Sequence, residues 1–192
     1  MFLSVLGIAL CLAKPASAQN FVLTIDVTNP SAVTIVTTGS FSSADSSATS
    51  TAEGVDLLNF FTAEISGSGF TNYSNLVPAD TMVLFDRWYI DNASGSNVDL
   101  NLYNGNPGTP QTFTTTTPVF SGSASYNFSA FASQLPLSTS GATGNVIAGD
   151  SSGDKVVLGT WQIVPEPGAC GLLLLAGLVL GVTVYRRRAL QG

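Results

Sequence analysis

Phe21-Val22-Leu23-Thr24-Ile25-Asp26-Val27-Thr28 alternates with period two: Phe21, Leu23, Ile25 and Val27 share one face, Thr24, Asp26 and Thr28 the other, and Val22 is the exception. Successive side chains of an extended chain point to opposite sides, so this octet predicts a half-buried β-strand. Working outward, Asn29-Pro30-Ser31 turns the chain and Ala32 to Thr38 repeats the pattern through Val33 and Ile35. Gly39 to Gly54, rich in Ser, Ala and Thr, reads as an exposed loop, and Val55 to Ser66 as a strand. Thr81 to Asp91 places Met82, Leu84, Trp88 and Ile90 on one face and Val83, Phe85, Arg87 and Tyr89 on the other, the pattern of a central strand covered on both sides. Val98 to Tyr103 alternates through Val98, Leu100 and Leu102, between turn-formers at Asn92 to Asn97 and Asn104 to Pro110. Gln111 to Phe120, Ser123 to Phe131, Asn145 to Ala148 and Lys155 to Val164 complete the predicted strands. Short strands, regularly spaced turns and no convincing amphipathic helix predict an all-β fold, an antiparallel β-sandwich ectodomain over residues 19–163.

The chain of 192 residues has a formal net charge of −6, 9% charged residues, no histidine and two cysteines. The central segment, about 145 residues, is long enough for one core and too short for two comfortable ones. Its only cations are Arg87 and Lys155, set against acids that include Glu53, Asp56, Asp86, Asp91, Asp99, Asp150 and Asp154. So acidic a surface repels a phosphate backbone, which excludes nucleic acid as a partner. Cys11 and Cys170 both lie outside the segment, leaving it with no disulfide framework and no thiolate metal site.

Chemistry has few candidates. Gly149-Asp150-Ser151-Ser152-Gly153-Asp154 has the look of a hydrolase nucleophile segment, but without histidine no Ser-His-Asp triad can form. The stretch reads better as a hairpin turn, with Asp150 and Asp154 as a weak calcium candidate because a hard cation needs only oxygen ligands. Asp86 and Asp91 are the one carboxylate pair in an aromatic-rich stretch, which glycoside hydrolysis would require. Trp88, Tyr89 and Trp161 are candidate glycan contacts, set against the ordinary role of such rings in strand packing. Sequons at Asn72, Asn92 and Asn127 and the many Ser and Thr hydroxyls offer glycosylation points that strand propensity also explains. No cofactor is expected.

The chain ends carry addresses. Phe2 to Leu12 is apolar and too short to span a bilayer, and Ala16-Ser17-Ala18 supplies the small residues read by signal peptidase. Residues 1–18 are therefore predicted to be a signal peptide, cleaved between Ala18 and Gln19 after passage through the Sec translocon. No Lys or Arg precedes the apolar run, and Lys14 lies on its far side. Cys11 lacks the small preceding residue of a lipidation site, since Leu10 stands there.

At the other end, Val164-Pro165-Glu166-Pro167 is a stiff extended rod, because each proline fixes φ and biases its predecessor away from the helix. Gly168 to Tyr185 has no charge and as a helix spans roughly 27 Å, which predicts a single C-terminal transmembrane helix. Gly177 and Gly181 give it a GxxxG spacing. Arg186-Arg187-Arg188 forms a cytoplasmic stop, leaving Glu166 and everything before it outside.

Residues 164–192, with Trp161 and Ile163 leading into them, resemble a PEP-CTERM sorting signal, the label of proteins handled by exosortase in Gram-negative bacteria that make exopolysaccharide. The resemblance implies export, transient anchoring in the membrane with the N-terminal domain outside, and recognition at Pro165-Glu166-Pro167 by a membrane-embedded cysteine protease. Release or transfer to the cell surface or extracellular matrix follows. In that scheme the chain is a substrate and no enzyme. Its expected role is structural or adhesive; the alternative is a carbohydrate-binding module attaching to exopolysaccharide, and a glycan-active enzyme ranks third. In a host that makes exosortase, Glu166→Ala is expected to leave the protein as a larger, membrane-bound form on immunoblots of fractionated cells. Unchanged processing of that variant would remove the motif from the scheme.

Overall fold

The structure, a computed structural model, describes residues 19–44, 49–106, 108–138, 140–149 and 155–164. The predicted signal peptide with Ala18, the Asp150 to Asp154 turn, Pro165-Glu166-Pro167, Gly168 to Tyr185 and Arg186-Arg187-Arg188 lie outside them.

The chain is mostly β. Its strands are β1 (Phe21–Asp26), β2 (Val33–Thr37), β3 (Thr49–Thr51), β4 (Val55–Leu57), β5 (Ser68–Ser74), β6 (Val77–Pro78) and β7 (Arg87–Asp91). They continue with β8 (Asp99–Tyr103), β9 (Gln111–Phe113), β10 (Phe120–Ser121), β11 (Ser123–Tyr126), β12 (Thr143–Ala148) and β13 (Val156–Ile163). Nine of them close into a barrel in the order β1-β13-β12-β4-β8-β7-β5-β11-β2. The pairs β6–β10 and β3–β9 form two small separate ribbons.

The expected antiparallel sandwich is thus corrected to a closed barrel. In a sandwich the first and last strands would lie in sheets with free edges. Here β1 pairs antiparallel with β2 on one side and parallel with β13 on the other, which joins the two ends of the sheet. The expected C-terminal transmembrane helix is not supported either. Among the described residues no helix is long and apolar enough to cross a membrane, and the stretch expected to form one lies outside them.

Local departures from the predicted strands have local causes. Residues 39–54, expected to be loop, contain β3. The strand expected over Val55 to Ser66 ends at Leu57, because Asn59 takes a left-handed φ of 56°. Only Arg87–Asp91 of the expected Thr81 to Asp91 strand is extended in the barrel, after Met82 at φ 55°. The strand expected to run to Phe131 stops at Tyr126, where the Asn127 side chain accepts from Ser129 N at 3.0 Å and opens the 3-10 turn Ser129–Gln134. β5 escaped the pattern because its only large apolar side chains, Phe70 and Tyr73, are 67% and 59% exposed.

Inside the barrel, Val22, Leu23, Ile25, Ile35, Val55, Leu57, Leu100, Leu102, Val146 and Leu158 are fully buried. Aromatic rings fill one part of this core around Phe128, which meets Trp88 at 4.8 Å, Phe61 at 5.7 Å and Tyr126 at 6.0 Å between centroids. Such edge and offset contacts add to the burial of apolar area. Because β1 and β13 run parallel, with Phe21 beside Thr160 and Ile25 beside Ile163, Gln19 and Val164 leave the barrel at opposite poles.

Gly54 shows how tightly the wall is built. It has φ of 90°, and a Cβ there would lie 2.1 Å from the Leu102 carbonyl oxygen. Gly54→Ala is expected to cost more than about 2 kcal/mol in urea unfolding, by left-handed strain and by displacing β8 from β4.

Candidate functional site

Alternation along β4, β8 and β7 divides their side chains between core and exterior. Val55, Leu57, Leu100, Leu102 and Trp88 enter the core, and across the same registers Asp56 lies beside Asn101, Asn101 beside Tyr89, and Asp99 beside Asp91 on the outer face. That outer face is not solvated throughout. Asp56 and Asp99 are 0% exposed and Asn101 is 2% exposed.

Each buried group is fixed by neighbours. The Asn101 amide donates to Asp56 Oδ1 at 2.9 Å and to the Glu53 carbonyl at 3.1 Å. Asp99 accepts from the backbone N–H of Asn59 at 2.6 Å and from that of Ser94. Lys155 donates its ammonium to the Ala93 carbonyl beside this cluster. Asp91 Oδ1 accepts from Asn92 N at 2.7 Å, while its other oxygen meets the Tyr89 hydroxyl at a long 3.4 Å. Asp56 Oδ2 and Asn101 Oδ1 remain buried without a donor.

Burial therefore raises the Asp56 carboxyl from its ordinary 3.8 to about 7; the Asn101 hydrogen bond opposes the shift, and the charges of Asp91 and Asp99 and the hydrogen-bond contact with Asp91 reinforce it. The Tyr89 phenol is pushed up by burial first and then by the charges of Asp91 and Asp56. Asp56 and Asp91 are thus the carboxyl pair that the fold makes.

Beside this cluster opens a cleft of about 360 Å³, lined by Glu53, Tyr89, Tyr103, Asn104 and Gly105 among others. The Tyr89 and Tyr103 rings meet edge to face at 5.4 Å and 75°. A more open depression of about 640 Å³ beside the Ser129–Gln134 turn is lined by Phe70, Phe131 and Trp88, but Trp88 is only 4% exposed and offers no ring face there.

The three expected glycan contacts are therefore not brought together. Trp161 is fully buried and donates its indole N–H to the Leu58 carbonyl at 3.1 Å, in space that Gly144 leaves open: a Cβ there would lie 2.6 Å from the indole nitrogen. Trp88 faces the core, and only Tyr89 reaches a cleft. Nor do Asp86 and Asp91 form a pair. They stand five residues apart, about 16 Å of extended chain, and Asp86 Oδ1 is engaged by Gly105 N at 2.7 Å. Tyr103, Glu53, Asp56, Asp99 and Asn101 were missed. Their signal lay in the alternation of Asp99-Leu100-Asn101-Leu102-Tyr103, which marks one face as polar without saying that loops cover it.

Among the described residues no group of three His, Cys, Asp or Glu side chains is placed to hold a metal ion, and the Asp150 and Asp154 calcium candidate lies outside those residues. Of the sorting motif only Val164 is described, its N–H bonded to the Ile25 carbonyl at 3.0 Å; Gln19 is exposed just before β1.

A folded-state value above the unfolded one gives stability that is present below the unfolded value and lost as pH rises through the folded one. In chelated buffer the unfolding free energy is expected to fall by a few kcal/mol between about pH 5 and pH 8 relative to Asp56→Asn, which cannot ionise. Parallel pH profiles for the two proteins in urea titrations would contradict the burial argument.

No protein-family model, characterised protein or solved structure matches this chain, so its functional reading rests on the cleft and its neighbours.

Proposed function

We propose that the protein is an exported, adhesive component of the cell surface or extracellular matrix, one that holds polysaccharide in the Tyr89–Tyr103 cleft. The observation that carries this reading is the cleft itself: Tyr89 and Tyr103, their rings edge to face, line with Glu53 a concavity of about 360 Å³, roomy enough for a sugar ring. Aromatic faces offer apolar area to the C–H side of a sugar while carboxylate and amide groups take its hydroxyls. Export and sorting belong to the same reading. The tail beginning at Val164 is the label presented to exosortase, and signal peptidase and the Sec machinery are the other partners. Under this reading the chain has no catalytic residues of its own; of the Asp56 and Asp91 pair, Asp56 is fully buried.

Binding of the full-length chain to a polysaccharide array, followed by titration against whichever polymer it retains, tests the adhesive role. Tyr89→Ala and Tyr103→Ala are each expected to weaken binding by about tenfold or more, with circular dichroism unchanged from the parent. Retention of no polymer, or retention indifferent to both substitutions, would leave a purely structural component.

A further inference from the structure

We propose that the Tyr89–Tyr103 cleft and the depression lined by Phe70 and Phe131 are two subsites of one groove, bridged by Arg87, which takes an interior stretch of a polysaccharide chain lying across the strands. The inference rests on the polysaccharide reading above and adds the form of the ligand: several consecutive sugar units, not a chain end. Register puts the bridge in place. Phe70 of β5 pairs with Arg87 of β7, and Arg87 pairs with Tyr103 of β8, so the three residues form one row across neighbouring strands. Trp88 turns into the core, and Arg87, its neighbour in an extended strand, is therefore turned outward. Neighbouring strands lie about 4.8 Å apart, which sets the backbones of Phe70 and Tyr103 roughly 10 Å from each other, more than one sugar ring spans.

Arg87 belongs to the walls of both hollows. On one side its guanidinium carbon stands 4.6 Å from the centroid of the Phe70 ring, and Phe70, 67% exposed, lines the open depression. On the other side it packs against Gly105, which lines the cleft: a Cβ at that position would lie 2.0 Å from Arg87 Nε. Beyond Phe70 the depression offers uncharged polar groups, Ser68, Asn72, Asn127 and Ser129, suited to exchange hydrogen bonds with sugar hydroxyls. A guanidinium carries five N–H donors in one plane, and Arg87 Nε is buried with no acceptor. A sugar hydroxyl or ring oxygen at the outer edge of that fork brings an acceptor to a group whose Nε finds none in the protein, while the rings on either side take the C–H faces of the neighbouring units. A second protein chain has less to hold here. β5, β7 and β8 are each paired on both sides, so this face presents no strand edge.

The test is calorimetry of the full-length chain with a disaccharide and a hexasaccharide, supplied both as neutral β-linked glucose oligomers and as fragments of the polymer that the array retains. The hexasaccharide is expected to bind at least about tenfold tighter than the disaccharide, because the second subsite is filled by a chain already held at the first. Blocking its reducing end with a methyl group should leave its affinity unchanged. Phe70→Ala and Arg87→Met, each with the circular dichroism of the parent, should remove the gain with length. Equal affinity of the two lengths, or a gain that either variant keeps, would overturn the shared groove and leave the Tyr89–Tyr103 reading standing. So would a requirement for the free reducing end, or a Phe70→Ala variant that disperses a dimer in sedimentation while keeping the parent's glycan affinity. No binding of any oligomer, nor of any array polymer, would remove both readings.

Discussion

A ring of nine strands cannot alternate direction all the way round, so at least one neighbouring pair must run parallel. In this barrel that pair is β1–β13, and the other eight are antiparallel. Closure thus falls on contacts between the beginning and the end of the domain, residues about 140 positions apart in the chain, which carry a large entropic cost of assembly. The cost is offset by burying Leu23, Ile25, Leu158, Trp161 and Ile163 on both sides of the seam. It also removes the free edges that would otherwise invite pairing with other chains.

Closure dictates where polar chemistry can sit. With the interior filled by aliphatic and aromatic side chains, the alternate positions of β4, β7 and β8 are turned outward. Yet Asp56, Asp99 and Asn101 are not returned to water, because the segments that carry Asn59, Ser94 and Lys155 close over them. A polar face that is both outside the barrel and away from solvent is costly unless its groups are hydrogen-bonded. Asp99 is fully engaged; Asp56 is not, and it compensates by holding its proton to about pH 7. The cleft lies where this covering stops.

Alternation made β1, β2 and β13 legible, since each buries residues largely in the rhythm its sequence shows, and it located β8 although that strand is buried on both faces. It could not tell a sandwich from a barrel. Period two states which side of a strand is buried and is silent on whether the first strand meets the last. The glycan trio failed for a reason present in the sequence: Trp88 and Tyr89 are adjacent in one strand and so face opposite ways. Trp161 reads as a possible ring platform until Gly144 and the Leu58 carbonyl are seen to form its socket. Asp56 carried no signal of its depth, because a lone acid between Val55 and Leu57 has the pattern of an ordinary solvent-facing position.

The opposite placement of Gln19 and Val164 has a mechanical meaning. A barrel loaded between Gln19 and Val164 would have β1 and β13 pulled past each other along their common axis, so the hydrogen bonds of that seam would resist together in shear. Had the seam been antiparallel, with both ends at one pole, the same force would open it one bond at a time. The single parallel pair that an odd ring imposes is therefore also the arrangement in which the barrel best withstands tension.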